Sequence, residues 1–155
     1  MKTITKFLLS LFVWLSISLT SAAQGQPVQL MPNKPVNWSI KQLMQPSELA
    51  AILSDSKLPK PLILNIGVVE DIPGARHLGA ASKLENIQKL RAILKDLPKN
   101  SPIVVYCGCC PFDKCPNIRP AFQELISGGF TNAKVLNLPA NIKTDWINKG
   151  YPVEK

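Results

Sequence analysis

The stretch Val104-Val105-Tyr106-Cys107-Gly108-Cys109-Cys110-Pro111-Phe112-Asp113-Lys114-Cys115-Pro116-Asn117-Ile118-Arg119-Pro120 decides how this chain is read. It follows Ile103 in a β-branched apolar run, the pattern of a buried strand. It closes at Pro120-Ala121-Phe122-Gln123-Glu124-Leu125-Ile126, which reads as a helix with proline in its first turn and Gly128-Gly129 as its stop. All four cysteines of the protein lie between the two elements. They therefore sit on a strand-to-helix connection at the carboxyl end of a strand, where open α/β sheets bind ligands. A helix start there offers free N–H groups and the positive end of a dipole, which favour an anion or a thiolate.

Outward from this stretch, strand and helix patterns alternate. Upstream, Trp38-Ser39-Ile40-Lys41-Gln42-Leu43 is expected as a short strand, and Pro46 to Leu53 as a helix with Ser47 at its N-cap. Leu62-Ile63-Leu64-Asn65-Ile66 reads as a second buried strand. Ile72-Pro73-Gly74-Ala75-Arg76-His77-Leu78 reads as a turn and a short extended piece. Leu84, Ile87, Leu90, Ile93, Leu94 and Leu97 recur at helical spacing, so a helix is expected over Leu84 to Leu97, stopped by Pro98. Downstream, Ala133 to Leu138 is a strand and Ile142 to Asn148 a last helix. The pattern predicts an α/β fold with a parallel sheet covered by helices on both faces.

The 155 residues suffice for one domain with a sizeable core. The first 23 residues read as a signal peptide: a basic start with Lys2 and Lys6, an apolar run from Phe7 to Leu19, and Thr20-Ser21-Ala22-Ala23 as the cleavage site. Residues 24–37, with three prolines, form a linker or arm, and residues 38–155 the domain. The mature chain is expected in a periplasm or outside the cell, with no stable membrane insertion. The net charge is +8, but the 18 basic residues are scattered and aromatics are few. That pattern argues against nucleic-acid binding and leaves a mild pull on anions.

The ordered set of segments resembles a rhodanese-like domain. The matching pieces are Leu62 to Ile66, Ile72-Pro73-Gly74-Ala75, Val104-Val105-Tyr106-Cys107, Arg119, and Leu125 with Gly128-Gly129-Phe130. Val135-Leu136 and Trp146 with Gly150-Tyr151-Pro152-Val153 complete the set. The resemblance spans Ile40 to Val153 and implies the three-layer α/β fold of sulfurtransferases. It implies Cys107 as the nucleophile that takes sulfane sulfur and holds it as a persulfide, with Arg119 helping to fix the loop and the anion. Gly108, Asn117 and Lys114 are then substrate-binding candidates, and the partners a small sulfur-donor anion or thiol and a periplasmic redox protein. No cofactor is implied. The sequence departs from the family at Asn65 and Gly67, which stand where the family carries aspartate and arginine, and in the long loop, where Arg119 lies twelve positions after Cys107.

The extra loop residues carry Cys109, Cys110 and Cys115, for which three chemistries stay open. One is resolution of a persulfide or mixed disulfide on Cys107 by Cys109 or Cys110. Another is stapling of an exported loop by disulfides. The third is a soft metal such as copper or zinc on the C-x-C-C-x4-C thiolates, which would make the domain a non-catalytic binding module. Of the remaining candidates, His77 reads as a surface histidine, Asp113 and Lys114 as solvated turn residues, and Trp38 and Trp146 as packing residues. Tyr106 is expected to pack under the cysteine loop.

Overall fold

The protein is described by a computed structural model over residues 38–154; the signal-peptide and arm segments lie outside the described residues. Five strands, β1 (Leu43–Met44), β2 (Leu62–Asn65), β3 (Ala75–His77), β4 (Ile103–Tyr106) and β5 (Ala133–Leu136), form one sheet in the order β1-β5-β4-β2-β3. Every pairing is parallel, as alternation of strands and helices predicts. Four helices accompany it: α1 (Pro46–Ser54), α2 (Leu84–Leu94), α3 (Ile118–Ser127) and α4 (Ile142–Asp145).

Residues alternate across the strands and so divide the core in two. Leu64, Val105 and Val135 join α2 (Ile87, Leu90, Leu94) and α3 (Ile118, Ala121, Phe122, Leu125) on one face. Ile63, Val104, Tyr106 and Leu136 join Leu49 of α1 and Ile142 of α4 on the other. This is the three-layer arrangement expected of a rhodanese-like fold. In the central strand β4 all four residues are buried, which explains its unbroken apolar run. Continuing the period of two, Cys107 points with Ile103 and Val105 into the α2/α3 layer.

Several boundaries differ from the sequence pattern. Ile40–Gln42 is a 3-10 turn, because Ser39 and Gln42 cap each other and coil the chain before β1 begins. The N-cap of α1 is Gln45, since Pro46, whose fixed φ suits a first helical position, starts the helix one residue before Ser47. The α2 helix stops at Leu94, three residues short of Leu97, whose N–H turns back to the Leu94 carbonyl. The last helical segment breaks at Trp146 into α4 and a 3-10 turn, Ile147–Lys149. Trp146 itself is buried, with its Nε1 donating to the Pro152 carbonyl at 2.7 Å. Trp38 packs against Phe112 and Phe122, with ring centroids 5.9 and 5.1 Å away.

Candidate functional site

The cysteine loop leaves the carboxyl end of the central strand, so Cys107 inherits its position from the sheet. Its side chain is 1% exposed. Space for the sulfur comes from Gly67 on the neighbouring β2–β3 connection. A Cβ on Gly67 would fall 2.8 Å from Cys107 Sγ and closer still to its carbonyl oxygen. A side chain at position 67 would collide with the backbone and sulfur of Cys107, and glycine leaves that space open.

Asn65 organises that connection. Its Oδ1 accepts the Gly67 N–H at 2.9 Å, and its Nδ2 donates to the Val69 carbonyl at 2.9 Å and to Asp71 Oδ1 at 2.7 Å. Burial pushes the Asp71 carboxyl up, but hydrogen bonds from Asn65 and His77 and the charge of His77 outweigh it, and the group sits below its ordinary value. His77 faces this carboxylate through Nδ1 at 3.1 Å and remains largely exposed. Tyr106 lies on the opposite face of the sheet from Cys107 and serves the β2–β3 connection rather than the cysteine loop. Its hydroxyl accepts from Ile72 N–H at 2.9 Å and donates to the Glu70 carbonyl at 3.2 Å, and burial pushes the phenol up.

After Cys107 the chain turns at Gly108, whose φ is +72°, a conformation that glycine adopts without strain. Its carbonyl accepts the Ile142 N–H at 2.9 Å, tying the loop to the start of α4. A Cβ there would lie 2.8 Å from that of Ile142. The turn brings Cys109 Sγ to 3.2 Å from Cys107 Sγ, and Cys110 Sγ lies 3.4 Å from Cys109 Sγ. Cys107, Cys109 and Cys115 place their sulfurs within 4.8 Å of one another. All four cysteines are free thiols; Cys107 and Cys115 are buried and Cys109 is exposed.

Asn117 closes the cluster from the helix side. It occupies the N-cap of α3, yet its side chain does not cap the helix. Instead Nδ2 donates to Cys107 Sγ at 3.2 Å and Oδ1 accepts the Ser82 N–H at 2.9 Å. The hydrogen bond from Cys115 is the strongest influence on Cys107. Burial opposes it, while Asn117 and the N–H and thiol of Cys109 add to it, and the Cys107 thiol is pulled down to about 5. Its neighbours pay the electrostatic complement. Hydrogen bonding to Cys107 and then burial push Cys115 far up, and burial and the Cys107 thiolate push Cys109 up to about 12. These shifts favour Cys107 as the thiolate of the trio, with Cys109 and Cys115 as thiols beside it.

The free amides at the start of α3 are placed differently from expectation. Those of Asn117 and Ile118 reach Cys115, whereas the N–H donated to Cys107 is that of Cys109. Arg119 Nη2 donates to the Asp113 carbonyl at 3.1 Å and so braces the loop tip. Asp113 and Lys114 are exposed at that tip, where the Lys114 N–H turns back to the Pro111 carbonyl. A soft cation would find three converging sulfurs here, with Cys110 outside the group, one fewer than the spacing of four cysteines suggested.

No protein-family model and no curated protein matches the chain. The fold is similar to that of EanB. The EanB structure is a persulfide form in a tetrahedral intermediate state with ergothioneine, and it aligns with a TM-score of 0.51 at 19% identity over 72% of this chain. This chain spans 27% of the EanB chain. At such identity the likeness speaks to the fold.

Proposed function

We propose that the protein is a rhodanese-like sulfur-transfer protein in which Cys107 carries sulfane sulfur as a persulfide. The observation that carries the reading is the Cys107 sulfur at the end of the central strand, 3.2 Å from the Asn117 amide and from Cys109 Sγ, with Cys115 beside it, a setting that favours its thiolate. A thiolate is the attacking form of cysteine, and fixed donors around it stabilise an anionic persulfide equally well. The EanB fold, solved with a persulfide, supports the same reading. With thiosulfate as donor, the Cys107 thiolate attacks the outer sulfur, the sulfur–sulfur bond breaks, and sulfite leaves with the electron pair. A thiol or cyanide acceptor then attacks the outer sulfur of the persulfide and regenerates the thiolate. Arg119 braces the loop and draws the donor anion, Asn117 holds the sulfur, and Lys114 adds an exposed cation at the loop tip.

Mass measurement after donor treatment tests this. The wild-type chain gains one sulfur atom; Cys107→Ser gains none. An adduct that survives Cys107→Ser and disappears with Cys109→Ser or Cys110→Ser overturns the choice of nucleophile. The convergence of three sulfurs favours one competing reading, a non-catalytic module that binds copper or zinc. Stoichiometric metal in protein purified without chelator, together with no sulfur adduct on the demetallated chain, would establish that reading in place of sulfur transfer. Export belongs to the same proposal and rests on the segment from Met1 to Ala23. Sequencing of the mature chain from cells is expected to start at Ala23 or Gln24, and a chain retained with Met1 in the cytosol refutes it.

A further inference from the structure

Cys107 and Cys109 touch, yet they differ in exposure. Cys107 is 1% exposed, whereas Cys109 faces solvent. Their sulfurs are 3.2 Å apart, so a disulfide bond of about 2.05 Å needs an approach of only about 1.2 Å. The Gly108 turn that sets this spacing is itself held, by its conformation and by the Ile142 N–H. The other thiols are placed less well for exchange with an outside molecule. Cys115 is buried, and a Cys109–Cys110 bond would close a strained eight-membered ring.

We propose that Cys107 and Cys109 form a reversible dithiol–disulfide pair that exchanges with a partner thiol through Cys109, a thiol–disulfide oxidoreductase activity beyond the sulfur-transfer reading. In the oxidised form a partner thiolate attacks Cys109 Sγ, the only sulfur of the pair open to solvent. The bond from the partner to Cys109 forms, the Cys107–Cys109 bond breaks, and the electron pair leaves on Cys107. A second partner thiolate then attacks the partner's sulfur in the mixed disulfide and releases Cys109, which takes a proton. Two partner thiols become a disulfide, and the protein disulfide becomes two thiols. A disulfide of low molecular weight, such as glutathione disulfide, reverses the sequence and reloads the pair.

The direction of the exchange follows from the leaving group. Sulfur leaves faster, and the disulfide oxidises more strongly, when the departing thiolate is stabilised. Cys115 and Asn117 supply that stabilisation to Cys107, so the reduced form is favoured and the disulfide acts as a donor to partner thiols.

The test equilibrates the full chain with mixtures of glutathione and glutathione disulfide, followed by acid quench, alkylation and peptide mapping. Wild type is expected to lose two hydrogens and to carry the bond between Cys107 and Cys109. Cys107→Ser, and Cys107→Ala should the first fold poorly, is expected to retain one glutathione on Cys109, because the resolving Cys107 thiolate is gone, a bond to Cys110 closes a strained ring and Cys115 is held as a thiol. Cys109→Ser should leave the buried Cys107 unmodified over the same time. Asn117→Ala removes a donor to the departing thiolate, so its disulfide should form at a glutathione disulfide level about tenfold or more lower. Four free thiols at high glutathione disulfide, or a bond mapped to another pair, overturns the proposal. The sulfur-transfer reading fails separately: a Cys107–Cys109 bond with no sulfur adduct removes that reading alone, and an adduct with no such bond removes this one alone.

Discussion

Replacing Asn117 by alanine isolates the amide that links the cysteine cluster to the rest of the domain. The side chain does two things: Nδ2 donates to Cys107 Sγ at 3.2 Å, and Oδ1 accepts from Ser82 N–H at 2.9 Å. A hydrogen bond to a charged group contributes about 1.5–3 kcal/mol, and one pKa unit corresponds to about 1.36 kcal/mol. The Cys107 thiol of Asn117→Ala should therefore titrate about 1–2 units higher than in wild type. Because the native pKa lies below that of an unfolded thiol, the stability contributed by this thiolate is complete above about pH 8.5 and is lost as pH falls through about 5. In the variant the contribution is smaller and its loss is complete at higher pH. The orphaned Ser82 N–H adds a cost of about 1 kcal/mol, the low end for an unpaired donor because Ser82 is partly solvated. The assay is thiolate ultraviolet absorbance against pH, taken as the difference from a matched Cys107→Ser chain, beside urea unfolding at two pH values. Asn117→Asp separates the two roles, since it keeps an acceptor for Ser82 and sets a negative charge against the thiolate. Its Cys107 should titrate higher than in Asn117→Ala while the Ser82 bond persists. A Cys107 midpoint unchanged in Asn117→Ala would refute the claim that this amide holds the thiolate.

Gly67→Ala should destabilise the domain by about 1–3 kcal/mol, the usual cost of overpacking, because backbone as well as sulfur of Cys107 meets the new Cβ; an unchanged urea midpoint refutes it. Tyr106→Phe leaves the Ile72 N–H without its partner and should cost about 1–3 kcal/mol in the same assay, with the Cys107 titration unmoved because the two side chains lie on opposite faces of the sheet. Arg119→Ala removes the brace to the Asp113 carbonyl and should slow formation of the sulfur adduct while the unfolding midpoint shifts by less than about 1 kcal/mol. Global unfolding of that variant, or an unchanged adduct rate, refutes a role confined to the loop.

The layers of this fold were legible in the sequence because strand and helix periods are local. The β-branched run before Cys107 and the spacing of Leu84, Ile87 and Leu90 need no partner to be read, and parallel pairing follows from their alternation. Boundaries were less legible. Whether Ile40–Gln42 coils or extends depends on the reciprocal Ser39–Gln42 cap, and whether Ser47 or Gln45 caps α1 depends on where Pro46 is accepted. Cys107 as the residue at the strand end was readable by position. That Asn117 would turn its side chain away from its helix and onto a sulfur was not, although an amide three residues before a helix proline was a signal that it stood at the helix start.

Only the tertiary structure decided what Asn65 and Gly67 do and how the four cysteines divide. Asn65 and Gly67 read as missing charges along the chain; in space they are an amide that pins a loop and a gap that holds a sulfur. The sequence placed four thiols on one loop, with Cys107 at the strand end and the roles of the other three left open. Their hydrogen bonds and burial make Cys107 the thiolate, Cys115 its buried donor, Cys109 its exposed neighbour, and Cys110 the outlying member. The physical reason is that a side chain's identity fixes its chemistry, whereas its ionisation and access depend on neighbours brought from distant segments, here β2, the α3 start and the Gly108 turn.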